Sequence, residues 1–468
     1  MLQAEARFVN GDTCKTAMRI TILTIGSRGD VQPYVALGLG LKAAGHEVRL
    51  ATHEDFKAFV CSHGLEFGPL AGDPRTLLET PEGLQLLESG SNPFRLMRQF
   101  VRLFEPLAHQ SLHDGQEACQ DSDAVIFSMA ACFGHWIAEK MGIPSCAAYC
   151  LPLTPSWHMP SSVFPEVPAW LPLARIYSRL TYFLGGTMLW APLSGAVNRS
   201  RRDVLDLRPL SMWYPPWRNL RPGVPYLYGY SPTVLPKPRD WGENIHVTGY
   251  WFLDHASGWQ PPVKLVDFLK SGPPPVCVGF GSMNNRNAEE ATDLVVKALV
   301  RARQRGILMT GWGGLTHSRL PDEILPLDSV PHDWLFPRVA AVVHHGGAGT
   351  TAAALRAGVP AVVVPFMSDQ PMWARRVYKL GAGPRPIPRK KLTVENLAAA
   401  LQVAVSDREL RRRCRTLGRQ IRSEDGAGQA VEAFHRGLGI ERPVLERLRL
   451  ARRHHRKGSH ASLPVFSK

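Results

Sequence analysis

The sequence predicts an α/β fold of two domains, each built around a parallel sheet. Three observations predict it. The chain of 468 residues exceeds the length at which one hydrophobic core keeps growing. A strand, turn, helix, strand unit stands near the N-terminus at Arg19–Ala51. A second such unit, AAVVHHGGAGTTAAALRAGVPAVVV, runs from Ala340 to Val364. In sheets of this kind ligands bind beyond the carboxyl ends of the strands, so the turn in each unit is where a site is expected.

Residues 1–17 read as an N-terminal extension with no apolar run of signal-peptide length, and Met18 is an alternative start. The first domain is expected over 18–238. It opens with the β-rich run RITILTI from Arg19, turns at GSRGDVQP (Gly26–Pro33), continues as an amphipathic helix to about Ala44, and closes on Gly45 before the strand Glu47–Ala51. GSRGD is not the G-x-G-x-x-G dinucleotide fingerprint, and no acidic residue ends the second strand to hold a ribose. Nicotinamide chemistry is therefore not expected. Asp30 lies in that turn, where a carboxylate either caps the following helix or, partly desolvated, takes a proton from a hydroxyl.

Farther on, the Asp121–Asp123 pair precedes the strand Ala124–Phe127 at its amino end, the wrong end for a ligand, so it reads as loop solvation and no metal is expected. His135 reads as a packed or capping residue. From Cys150 to about Pro238 prolines and aromatics accumulate, including Trp157, Trp170, Trp190, Trp213 and Trp217. Two readings stay open there: a wall for an apolar ligand that touches a membrane surface, or the core of a helical layer. The apolar stretch Thr181–Val197 is shorter than the roughly 20 residues that span a bilayer.

A linker is expected at 239–262 and the second domain at 263–440. Its strand PVCVGFG, from Pro275 to Gly281, ends on Ser282, which either contacts a ligand or caps a helix. After Ala340–Val343 comes the glycine-rich turn His344–Gly349 and a helix of small residues from Thr350. Gly347 and Gly349 let a ligand approach the backbone amides, and the helix start offers free N–H groups and a positive dipole end, a seat for a diphosphate. His345 and the hydroxyls of Thr350 and Thr351 stand ready to donate to it. Asp369 and Gln370, beyond the next strand, can hydrogen-bond the hydroxyls of an attached sugar.

Composition is that of an ordinary globular chain, 44% hydrophobic and 20% charged. The net charge of +15 is scattered except in the tail 441–468, so a solvated basic surface with weak attraction to anionic lipid is expected rather than a nucleic-acid partner. The eight cysteines form no C-x-x-C and read as reduced thiols of a cytosolic protein.

SVPHDWLFPRV at Ser329–Val339, HHGGAGTT, the SDQ that ends at Gln370, and GSRGD together resemble the family 1 glycosyltransferases, in their branch of sterol and lipid glucosyltransferases and antibiotic aglycone glycosyltransferases. The resemblance implies the GT-B arrangement, two facing Rossmann-like domains with an interdomain cleft. It implies that His345 contacts the donor diphosphate, Thr350 a phosphate, and Asp369 with Gln370 the sugar, while Val330 through its backbone and His332 lie beside the base. It makes Asp30 the general base. One departure stands out: plant members have a glutamate for the ribose where this chain has Ala353.

The activity so implied is inverting, metal-independent transfer from a nucleotide diphosphate sugar, with UDP-glucose first, to a lipophilic alcohol such as a sterol. No cofactor is required, and the protein is expected in the cytoplasm with peripheral membrane contact. Deoxysugar transfer to a polyketide or peptide aglycone is the runner-up. A sugar-nucleotide epimerase and a non-catalytic nucleotide-sugar-binding auxiliary protein remain as readings of another class, and the sequence sets no oligomeric state.

Overall fold

A computed structural model describes residues 17–72, 107–168, 170–213, 223–255, 258–280, 288–310 and 320–440. Two all-parallel sheets organise them. The first contains β1 (Arg19–Leu23), β2 (Glu47–Thr52), β3 (Glu66–Pro69), β4 (Ala124–Phe127), β5 (Ser145–Tyr149), β6 (Tyr226–Tyr228) and β7 (Ile245–Val247), in the order β3-β2-β1-β4-β5-β6-β7. The second contains β8 (Val276–Gly279), β9 (Gly306–Met309), β10 (Ile324–Leu327), β11 (Ala341–His344) and β12 (Ala361–Val363), in the order β10-β9-β8-β11-β12. The strand order reverses between β1 and β4 in one sheet and between β8 and β11 in the other. Chains leaving neighbouring strands in opposite directions open a crevice at that point. The turns after β1 and β11 each border one.

Parallel strands covered on both faces should be apolar without alternation. β4 (AVIF), β5 (SCAAY) and β11 (AVVH) are buried at every position. Helix α1 (Arg28–Ala43) buries Val31, Tyr34, Val35, Leu37 and Leu41, and Tyr34 donates its hydroxyl to the Ala148 carbonyl at 2.6 Å. The long helix α2 (Ala174–Leu205) buries Trp190, whose indole N–H donates to the Ser211 carbonyl at 2.9 Å. Trp170, by contrast, is 80% exposed, and Trp157 and Trp213 are also exposed. The aromatic segment is thus divided between core and surface. Trp217 lies outside the described residues, as do Ser282 and the basic tail.

Helices α3 (Ala348–Ala357), α4 (Gln370–Lys379), α5 (Arg408–Ser423) and α6 (Gly426–Gly437) complete the set used below. Two expected boundaries meet different packing. β7 hydrogen-bonds to β6 within the first sheet, although it falls in the stretch 239–262 expected to be a linker. The helix α6, inside the expected range of the second domain, crosses back to pack on α1. Its Val431 and Phe434 join the core of Ile20, Val35 and Leu41. The crossing is tight, since a Cβ on Gly426 would lie 2.3 Å from the Tyr250 carbonyl oxygen.

That return is latched by two buried histidines. The Met18 N–H donates to His46 Nδ1 at 3.2 Å, so His46 carries its proton on Nε2, which lies 2.7 Å from His435 Nε2. Burial lowers the pKa of both rings, that of His435 to about 4 with the nearby His46 contributing. In the unfolded chain they titrate near 6.5. The unfolded state therefore binds more protons between these values, and stability is expected to fall as pH drops from about 6.5 toward 4. Denaturant midpoints across this range measure it, and His435→Gln should show a shallower slope than the parent.

Asp121 and Asp123 are occupied at the amino edge of the first sheet. Asp121 pairs with Arg19 and Arg49, the latter at 2.7 Å, and Asp123 accepts the Arg19 N–H at 2.8 Å. His135 is buried, with Nδ1 2.9 Å from the Ser145 hydroxyl. The seven described cysteines are free thiols.

Candidate active site between the two sheets

The turn after β1 is shaped by one carboxylate. Asp30 occupies the third position of α1, and its Oδ2 accepts the Ser27 N–H at 2.8 Å and the Ser27 hydroxyl at 3.0 Å. This is the reciprocal cap of a helix start. It also explains Gly26, whose φ of +138° suits only glycine and whose Cβ would sit 2.5 Å from Asp30 Oδ2. The two readings of Asp30, cap and base, are therefore compatible. Asp30 is solvent-accessible, yet desolvation by the surrounding protein raises its pKa against the opposing Ser27 bonds.

The turn after β11 is pinned from within. His344 is fully buried, and its Nδ1 accepts the Gly346 N–H at 3.0 Å, which fixes the backbone as it leaves the strand. Gly346 has φ +92°, and a Cβ there would lie 2.8 Å from Val363 Cγ1. His345 then folds over the first residue of the cap, for a Cβ on Gly347 would meet its Nε2 at 2.5 Å. Gly347 is the N-cap of α3, and the Thr351 N–H makes the return bond to its carbonyl at 2.9 Å. The amides of Ala348, Gly349 and Thr350 precede that bond and face outward from the helix start. The His345 imidazole thus lies beside a helix start with free amides.

Burial pushes His345 down to about 4 and His332 to about 4. Both rings are neutral at neutral pH. His332 stacks on Phe336 with centroids 4.4 Å apart, and Arg28, from the first sheet's turn, and His345 both help depress it. Val330 is buried, so its side chain faces the core and its backbone is the part left for a ligand.

Asp369 precedes α4 and accepts the Trp373 indole N–H at 2.9 Å. Burial raises its pKa, and the charge of Asp30 raises it further. Two carboxylates from different sheets therefore share one electrostatic environment. Cys150, just past β5, lies within electrostatic reach of both: burial pushes its thiol up to about 12, and both Asp30 and Asp369 contribute. Ser368, immediately before Asp369, holds φ +58°, a strained backbone for a non-glycine residue. Gln370 is buried, and its Oε1 accepts the N–H groups of Phe366 and Met367 at 2.8 and 3.2 Å. Its oxygen holds the loop that presents Asp369.

The N-terminal domain model of glycosyltransferase family 28 matches residues 20–158, and the C-terminal domain model of erythromycin biosynthesis protein CIII-like proteins matches 310–433. The sterol 3-beta-glucosyltransferase UGT80B1 of Arabidopsis thaliana is 38% identical over 435 residues, covering 92% of this chain and 69% of that protein. The chain belongs to the sterol 3-beta-glucosyltransferase family.

Other members of that family are longer. UGT80A2 of Arabidopsis thaliana is 40% identical over 434 residues, 90% of this chain and 66% of that one. The sterol 3-beta-glucosyltransferase of Cryptococcus neoformans is 39% identical over 456 residues, 92% of this chain but 28% of its own. This family member thus spans between about a quarter and two thirds of these relatives. Among solved structures, the glycotransferase of kitacinnamycin matches with a TM-score of 0.63 at 22% identity, covering 90% of this chain and 99% of that one. The glycosyltransferase SnogD from Streptomyces nogalater matches with a TM-score of 0.61 at 20% identity, over 90% and 100%. The fold of this glucosyltransferase family member is accordingly GT-B, two Rossmann-like domains.

Within it, Asp30 lies at the turn after β1, His345, Gly347, Gly349 and Thr350 at the turn after β11 and the start of α3, His332 between β10 and β11, and Asp369 between β12 and α4. His344 and Cys150 were not singled out from sequence. The paired histidines drew attention to position 345, yet nothing in the pattern distinguished the buried ring that pins the turn from the one above the helix start.

Proposed function

We propose that this protein transfers glucose from UDP-glucose to the hydroxyl of a sterol-like lipophilic alcohol, with inversion, and that the acceptor is drawn from a membrane it contacts peripherally. The observation that carries the reading is the pairing across the crevice of a carboxylate of raised pKa, Asp30, with a helix start and imidazole suited to a diphosphate. The names of the relatives supply the sugar and the acceptor class.

In this mechanism Asp30 takes the acceptor hydroxyl's proton as its oxygen bonds to the anomeric carbon. The bond from that carbon to the diphosphate oxygen breaks, and the leaving charge comes to rest on the amides of Ala348–Thr350, the Thr350 hydroxyl and the His345 N–H. The dipole of α3 adds about 0.3–1 kcal/mol when exposed and up to about 2 when partly buried. These donors neutralise the leaving group from the protein's own groups, so the reading requires no metal and no cofactor. Asp369 binds sugar hydroxyls, and Gln370 sets its loop.

A panel of nucleotide sugars offered with mixed lipophilic alcohols and read by mass spectrometry tests this. A mass gain of one hexose on a sterol, from UDP-glucose above other donors, is expected. Sugar interconversion without acceptor would establish an epimerase instead, and nucleotide-sugar binding with no product from any alcohol would establish an auxiliary protein.

A further inference from the structure

The face of α2 turned away from the core is apolar. Ile176, Leu180, Leu184 and Met188 recur every four residues, which places them along one side of a helix, and Trp170 and Leu173 extend the strip past its start. These six side chains are between 42% and 80% exposed. The opposite face is filled, with Thr181, Tyr182, Trp190 and Val197 buried. A continuous exposed strip of this size is uncommon on a monomeric surface and marks a place where something docks.

The charge around it says what docks. From Leu171 to Arg202 the sequence has no acidic residue, while Arg175 and Arg179 are exposed on the first turns of α2, Arg179 lying over the exposed Trp157 ring and donating to the Pro155 carbonyl at 3.1 Å. The surface continues into a basic region of the second domain. Phe164 lies against α2 at Gly185 and offers its carbonyl to Arg375 of α4 at 3.4 Å, and Glu166 pairs with Lys379. Beyond α4, Gly381 abuts Arg413 of α5, a helix with seven arginines and one glutamate. Apolar side chains flanked by arginine, with the nearby carboxylates already engaged, Glu166 with Lys379 and Asp240 with the Ser156 hydroxyl and the Trp157 N–H, match the acyl and phosphate layers of an anionic bilayer. No described helix is long and apolar enough to cross a membrane, so α2 suits the plane of the interface.

We propose that the exposed face of α2 inserts into the interfacial layer of an anionic phospholipid membrane, with Arg175 and Arg179 on lipid phosphates. The proposal rests on the reading of a lipophilic acceptor and names the surface through which the enzyme reaches it.

The full-length chain is sedimented with phosphatidylcholine vesicles, with and without phosphatidylserine, in the absence of donor and acceptor. Binding should need phosphatidylserine and weaken with salt. Leu180→Glu/Leu184→Glu should bind at least about tenfold more weakly, and Arg175→Glu/Arg179→Glu should lose the phosphatidylserine dependence. Both variants should keep the parent's melting temperature and its turnover of detergent-solubilised acceptor. Vesicle binding by Leu180→Glu/Leu184→Glu equal to the parent's overturns the proposal and assigns attachment to the basic tail. A parent that self-associates in ultracentrifugation, with a Leu180→Glu/Leu184→Glu monomer that still binds vesicles, overturns it in favour of a dimer face. Because no turnover is involved in sedimentation, failure of the transferase reading leaves this result standing, and the reverse holds too.

Discussion

Asp30→Asn is expected to lower kcat by about 10²–10⁴-fold with little change in the KM for the nucleotide sugar. The amide keeps an oxygen able to accept the two Ser27 bonds, so the cap of α1 and the turn around Gly26 persist. What is lost is a group able to take a proton. The donor contacts lie on the other sheet, at α3 and at the loop before α4, which is why its KM should hold. A cap-only Asp30 would behave differently: melting temperature would fall and kcat would stay within a few fold. In the parent, kcat/KM should decline on the acid side as Asp30 becomes protonated, at a pH above the ordinary carboxylate value of 3.8 because burial raises it. Asp369 lies within its electrostatic reach, and two such carboxylates titrate as a pair. Removing the second charge, in Asp369→Asn, should shift that acid limb to lower pH. An unshifted limb would show that Asp30 is not the group being titrated.

The parts of this arrangement legible in the sequence are those with local physical signatures. RITIL and AVVH are short β-rich runs followed by glycine turns, and both are strands at the point where their sheet reverses order. The opposition of the two turns followed from the GSRGD and HHGGAGTT resemblance rather than from periodicity. Long-range packing was not legible. The strand Ile245–Val247 is three residues long, too short to carry a pattern, and its place in the first sheet depends on β6 beside it. The return of α6 depends on a close approach between Gly249 and Gly426, which leaves no mark except the glycines themselves. Likewise Gln370 reads as a ligand-binding amide from its neighbours in sequence, while the fold directs its oxygen to the backbone of Phe366 and Met367.

The charge state of His345 is a second case, and it leads to a test of the diphosphate seat. A histidine beside a phosphate is expected to act as a cation, yet burial holds this ring near 4, neutral in the free protein. Its Nδ1 is buried without a hydrogen-bond partner, so no neighbour offsets the cost of charging it. An anionic diphosphate at the start of α3, where the Nε2 edge of the ring lies over Gly347, favours the charged form and raises the pKa. Binding UDP should then draw a proton from solvent at pH values between about 4 and the new, higher value. Calorimetry at mildly acidic pH in two buffers of different ionisation enthalpy measures this uptake, and the nucleotide's own titration is common to parent and variant, so it cancels in their difference. His345→Ala should abolish the difference and lower kcat by about 10²–10³-fold, the cost of losing one donor to a developing anion. Proton uptake that survives in His345→Ala would move the role to His332, which shares the same depressed titration and lies within its field. A variant with unchanged kcat would leave the helix amides alone to stabilise the leaving group, and the imidazole would then only shape the turn over Gly347.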